Sequence, residues 1–103
     1  MKSDFDKQNK GYLELEDKIE EPGLYQIVLH NDDFTTMEFV MEILEKIFFM
    51  DRRKAAEVMM EAHQGGKAVC GVFTKDIAES KIEQVSELAK KEEHPLFCSM
   101  EAA

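Results

Sequence analysis

The run Leu24-Tyr25-Gln26-Ile27-Val28-Leu29, leading into His30-Asn31-Asp32-Asp33, decides the fold. Five β-branched, aromatic or large aliphatic residues with one glutamine are enough for a buried strand, and the four polar residues that follow are a turn signal. A helix follows almost at once. Thr35 with Glu38 three residues later fits a capping box, which places that helix over roughly Thr36 to Phe48.

Working towards the C-terminus, Asp51 is a good N-cap for a second helix. It runs through Ala55, Val58, Met59 and Ala62 until Gly65-Gly66 stops it. Lys67 to Phe73 reads as a strand. Thr74 then opens an amphipathic third helix through Ile77, Ala78, Ile82, Val85, Leu88 and Ala89, which ends at Glu92-Glu93-His94-Pro95. Leu96 to Met100 makes a last short strand. The order β-α-α-β-α-β predicts an α+β domain, a three-stranded sheet covered by three helices, over residues 23–103.

Towards the N-terminus, residues 1–22 are rich in Asp, Glu, Lys and Gln, hold no sustained period and end at Pro22-Gly23. They read as a flexible acidic arm. Their apolar residues Phe5, Tyr12, Leu13, Leu15 and Ile19 offer the alternative of one short, loosely packed helix.

Composition narrows the function. A chain of 103 residues leaves room for one core. The formal net charge of -9, with no cluster of Lys and Arg among aromatics, argues against nucleic acid. No apolar run reaches the eighteen or so residues of a membrane span, and the start lacks the pattern of a secretory signal, so the expected location is cytoplasmic. Cys70 and Cys98 stand in apolar alternating contexts, where free thiols behave as small core hydrophobes.

Some residues exceed what folding requires. On the first helix the apolar residues form two flanks, Phe39, Ile43 and Ile47 on one, and Met37, Val40, Met41, Leu44 and Phe48 on the other. That arc is wider than one face of a small sheet needs, so one flank lines either the second helix or something other than the core. His63 stands one turn beyond Met59, so an imidazole and an adaptable thioether share a face. Asn31-Asp32-Asp33 is either a capped turn or a set of acceptors on a rigid scaffold. A calcium loop would need further oxygen ligands that Phe34-Thr35-Thr36-Met37 does not supply, and the histidines and cysteines lack zinc spacing, so neither metal nor cofactor is expected. Catalysis has no phosphate loop or nucleophile motif behind it.

Asn31-Asp32-Asp33-Phe34-Thr35-Thr36-Met37-Glu38-Phe39-Val40 resembles the signature of the ClpS family of N-end rule adaptors. Gly66 to Thr74 and Glu93-His94-Pro95-Leu96 are similar to its later segments, with His63 ahead of the first of them. The resemblance implies a non-enzymatic adaptor that binds proteins with a bulky N-terminal Leu, Phe, Tyr or Trp and delivers them to a Clp AAA+ unfoldase. By match of position, Asn31, Asp32 and His63 would hold the substrate's α-amino group. Thr35, Met37, Val40, Met59, Ala62 and Leu96 would wall the side-chain pocket, with Asp33 ordering the loop. Met37 would act as a gate against β-branched first residues. Ala62, where the family more often carries valine, implies a roomier pocket and a shift towards aromatics. Asp76 and Lys81 would dock on the unfoldase's N-terminal domain, and the arm would engage the unfoldase during hand-over. A terminal ammonium has only donors, whereas Asn, carboxylate and neutral imidazole all accept, so protonation of His63 is expected to weaken binding at mildly acid pH. The alternative is a protein-interaction module of similar fold that does not read N-terminal residues.

Overall fold

The computed structural model describes residues 23–103; the expected arm, residues 1–22, lies outside them. The elements are β1 (Leu24–His30), α1 (Met37–Lys46), α2 (Arg52–Gly65), β2 (Lys67–Thr74), α3 (Lys75–Lys91) and β3 (Phe97–Ala102). The three strands form one antiparallel sheet in the order β2-β1-β3, with β1 at its centre.

The central place of β1 follows from its composition: Ile27, Val28 and Leu29 are all buried, as a strand paired on both sides demands. On β2, Ala68 and Cys70 face the helices while Val69 and Val72 stand exposed; on β3, Cys98 is buried and Phe97 exposed. This alternation puts the helices on one face of the sheet. Cys70 and Cys98 are free, buried thiols. Their proximity to one another and their burial push the Cys98 thiol well above its ordinary range, which leaves it protonated and unreactive.

Ile27, Leu29, Ile43, Leu44 and Val85 are the largest fully buried side chains, each worth roughly 1.5–3 kcal/mol of apolar burial. Alanines at 55, 62, 78 and 89 are buried on the inner faces of α2 and α3 and let the helices lie close to the core. Gly71 answers a different need, because a Cβ there would meet the Phe73 ring at 2.7 Å.

Several boundaries depart from the sequence reading. Thr36, not Thr35, caps α1: its hydroxyl accepts from the N–H of Phe39 at 3.1 Å. The Thr35–Glu38 capping box does not form: the Thr35 N–H and hydroxyl both donate to Asp32, which holds Thr35 in the loop, and the helix starts one residue later behind Thr36. The helix stops at Lys46 rather than Phe48. There the Lys81 ammonium takes the Ile47 carbonyl at 2.8 Å, and Phe49 turns into the left-handed region at φ 56°. β2 runs one residue further than expected, to Thr74. β3 is displaced, beginning at Phe97 and reaching Ala102, since Leu96 is packed into the core ahead of the strand.

Asp51 caps α2 as its spacing predicts, accepting from the N–H of Lys54 at 2.7 Å. At the other end Gly66, at φ 95°, closes the helix with an N–H bond to Ala62 O. The carbonyl of the same glycine accepts from the N–H of Asn31 at 2.9 Å. That bond ties the loop after β1 to the last turn of α2, and so brings Asn31 and His63 to one place.

Candidate functional site

At the junction of β1, α1 and α2 lies a cavity of about 180 Å³, lined by Leu29, His30, Asn31, Asp32, Asp33, Thr35, Met37, Val40, Met59, Ala62, His63 and Leu96. Its ten residues singled out in the sequence come from three separate stretches, and the fold brings all ten together. A cavity on the order of 150 Å³ holds a benzene ring, so this one has room for a single large side chain.

The floor is apolar. Leu29, Val40, Ala62 and Leu96 are buried there, with Ala62 only 2% exposed. Met59 is half-buried against the core. Met37 stands at the mouth, 46% exposed, where its flexible thioether can move across the opening. One flank of α1 therefore packs into the core while Met37 and Val40 turn into the cavity.

The rim is made of acceptors. Asp32 organises it: Oδ1 accepts from the N–H groups of Phe34 and Thr35, each at 2.8 Å, and Oδ2 accepts from the Thr35 hydroxyl at 2.7 Å. Partial burial works against the ionised form. The hydrogen bonds from Thr35 and Phe34, with the nearby His94, outweigh it and hold the carboxyl below the usual aspartate range. The loop-ordering role expected of Asp33 thus belongs to Asp32, because only Asp32 sits two residues before Phe34 with its carboxylate turned back on the chain, an Asx turn. A carboxylate has about four acceptor sites, so with three filled, Asp32 still has one for a ligand. Among the described residues no hydrogen bond occupies the Asn31 amide or the His63 imidazole.

Three supporting residues carried no readable signal. Leu29 reads only as a core position, and the fold sets it in the cavity floor beside Val40, Ala62 and Leu96. His30 bonds Ser99 Oγ through Nε2 at 2.8 Å, and its ring lies 5.1 Å from that of Phe97, a cross-strand arrangement that fixes the end of β1. His94 stacks on Phe39 with ring centroids 4.3 Å apart, joining the segment before β3 to α1.

Asp76 and Lys81 lie elsewhere. Thr74, which precedes α3, pairs with Leu24, while Lys67 pairs with His30 at the cavity end of the sheet. Seven residues of strand, roughly 20 Å, separate the two ends. Asp76 is exposed in the first turn of α3. Lys81 is not a free surface cation: besides bonding Ile47 O, its ammonium lies 5.7, 4.8 and 5.4 Å from the ring centroids of Phe48, Phe49 and Phe73. Among the described residues no three His, Cys, Asp or Glu side chains are grouped to hold a metal. No helix among them is long and apolar enough to cross a membrane.

An apolar well edged with acceptors suits a ligand with an apolar body and a donor-only head, and comparison with known proteins agrees with it. The family described as ATP-dependent Clp protease adaptor protein ClpS matches residues 20–99. The chain belongs to the ClpS family. Relatives include the ATP-dependent Clp protease adapter protein ClpS of Vibrio atlanticus, 52% identical over 82% of this chain and 79% of its own. The protein of that name from Salmonella arizonae is 46% identical over 87% and 85%. Among solved structures, Agrobacterium tumefaciens ClpS2 bound to L-phenylalaninamide superposes with a TM-score of 0.78 at 40% identity, over 81% of this chain and all of that one. This ClpS chain is accordingly an adaptor of the Clp protease and not an enzyme.

Proposed function

We propose that the chain reads the first residue of other proteins, holding a free α-amino group together with a bulky Leu, Phe, Tyr or Trp side chain, and passes its cargo to a Clp AAA+ unfoldase. The observation that carries this is a cavity with an apolar floor, sized for one large side chain and rimmed by Asn31, Asp32 and His63. In this reading their acceptors take the ammonium, while Thr35, Met37, Val40, Met59, Ala62 and Leu96 enclose the side chain. That Agrobacterium tumefaciens ClpS2 was solved with L-phenylalaninamide, an aromatic side chain beside a free amine, supports it.

Magnitudes make both halves of the ligand necessary. Hydrogen bonds to a charged group contribute roughly 1.5–3 kcal/mol each, and burying a Phe or Leu side chain about 1.5–3. Association costs at least ~4 kcal/mol. Several of these terms together reach about -8 kcal/mol, a micromolar complex.

The unfoldase's N-terminal domain docks on the far end of the sheet, in this reading at Asp76 and at the surface held by Lys81. Separation from the cavity leaves both partners room to bind at once. Residues 1–22 engage the unfoldase during hand-over, and the adaptor works as a monomer in the cytosol.

Fluorescence anisotropy with a peptide beginning Phe or Leu, against the same peptide N-acetylated, tests the reading. Micromolar binding abolished by acetylation is the expected result. Equal binding of both peptides, or of neither, would sink it.

A further inference from the structure

Phe34 is the most exposed large apolar side chain among the described residues, at 81%, yet its backbone is pinned. Its N–H donates to Asp32 Oδ1 at 2.8 Å, and its two neighbours, Asp33 and Thr35, both line the cavity. The residue is therefore fixed beside the cavity by its backbone while its ring lies in solvent and does not line the pocket. Burial does not explain an aromatic kept there, and the loop's hydrogen bonds use only its backbone.

The rest of a bound chain must leave through that mouth. With the first side chain in the cavity and the amine at its acceptor rim, the following residues pass the loop that carries Phe34. Consecutive Cα atoms are 3.8 Å apart and an extended chain advances about 3.3–3.6 Å per residue, so the second and third residues come within reach of the ring. The ring face is electron-rich, and Asp33 beside it is exposed. A planar cation satisfies both, lying flat on the ring while it pairs with the carboxylate.

We propose that Phe34 is a specificity-determining residue that stacks on an arginine guanidinium in the second or third position of the substrate, with Asp33 as counter-charge. The proposal rests on the reading that the cavity takes the first residue. It extends selection from one residue to two.

The test uses four ligands: phenylalaninamide, and short amidated peptides Phe-Ala-Ala-Ala, Phe-Arg-Ala-Ala and Phe-Ala-Arg-Ala. The wild-type chain is expected to bind at least one arginine peptide about three- to ten-fold more tightly than the alanine peptide. Phe34→Tyr keeps that ratio. Phe34→Ala, and Phe34→Leu with its apolar bulk but no ring, bring it close to one while still binding phenylalaninamide. Equal wild-type affinities for the three peptides would overturn the proposal, as would a ratio that survives Phe34→Ala, which would assign the preference to the carboxylates alone. Loss of phenylalaninamide binding in both Phe34→Ala and Phe34→Leu would also overturn it, by making Phe34 a support of the pocket. A wild-type chain that binds no phenylalaninamide fails at the pocket reading itself.

Discussion

The Thr35 hydroxyl donates to Asp32 Oδ2 at 2.7 Å while the Thr35 N–H donates to Oδ1 of the same carboxylate. A residue that local sequence rules make a helix cap is thereby a strut of the loop that edges the cavity. Cap and strut are neighbours in sequence, Thr36 and Thr35, and the division of labour between them shapes the site.

Replacing Thr35 with valine keeps the volume and removes the hydroxyl donor. Stability is expected to fall by about 1–2 kcal/mol, the range for a hydrogen bond to a charged group at a partly exposed site. Phenylalaninamide affinity should fall about ten-fold as the loop loosens. Urea unfolding and calorimetric titration measure the two; an unchanged affinity would show that the two backbone bonds suffice to hold the loop.

The depressed pKa of Asp32 makes stability depend on pH. A carboxyl whose folded value lies below its unfolded value of about 3.9 contributes stability above that pH, and loses it as pH falls through the folded value. Between pH 5 and 2 the wild type should therefore lose more stability than Asp32→Asn, the gap between the two curves being constant above about pH 5 and closing as pH falls below about 4. Thermal melts of both proteins across that range decide it, and parallel curves would place the acid sensitivity elsewhere.

Ala62, almost wholly buried in the cavity floor, sets the room available. Ala62→Val adds two methyl groups to that floor. Peptides beginning Trp, Tyr or Phe should lose more affinity than one beginning Leu, by a factor of about 3–10, the cost of crowding a filled apolar site. A uniform loss across the series would mean that Ala62 supports the pocket without sizing it.

Met37 stands half-exposed at the mouth, where its side chain can crowd a branch at Cβ of an incoming residue. In Met37→Ala, peptides beginning Val or Ile should bind within about ten-fold of the Leu peptide. Continued rejection of both would remove the gate assignment.

Lys81→Met keeps most of the apolar stem and removes the donor to Ile47 O. The end of α1 then has an unpaired carbonyl, for an expected loss of about 1–2 kcal/mol. Phenylalaninamide affinity should stay within two-fold, because the cavity lies at the other end of the sheet. An unaltered unfolding midpoint would mean that the ammonium is held only loosely over its three rings.

Much of the fold was legible because its signals are local. Gly66 closes α2 and Asp51 opens it for reasons contained within a few residues, and Leu24 to Leu29 needs only its own composition to be a central strand. The ten candidate pocket residues, picked from three stretches of sequence, line one cavity. Roles within it were less legible. Asp32 and Asp33 are the same residue type side by side, and which of them turns its carboxylate back onto the chain depends on the path the loop takes to meet α2. Leu29 and His30 are indistinguishable from ordinary strand positions until α1 and α2 come together at the end of β1.

The sequence by itself determined the element order, the stops of α2 and α3, the apolar character of the core and the presence of acceptors before α1, because each follows from hydrophobic period and turn chemistry over a short stretch. Only the tertiary structure decided which threonine caps the helix, where α1 ends and what Lys81 binds. Each of these turns on a hydrogen bond whose partner the fold brings near: Asp32 across a loop tied to Gly66, and the Lys81 ammonium of α3 on Ile47 O, thirty-four residues away. Local rules rank the candidates for such a bond, but the fold sets the distance, and a hydrogen bond is made only by a partner within about 3 Å.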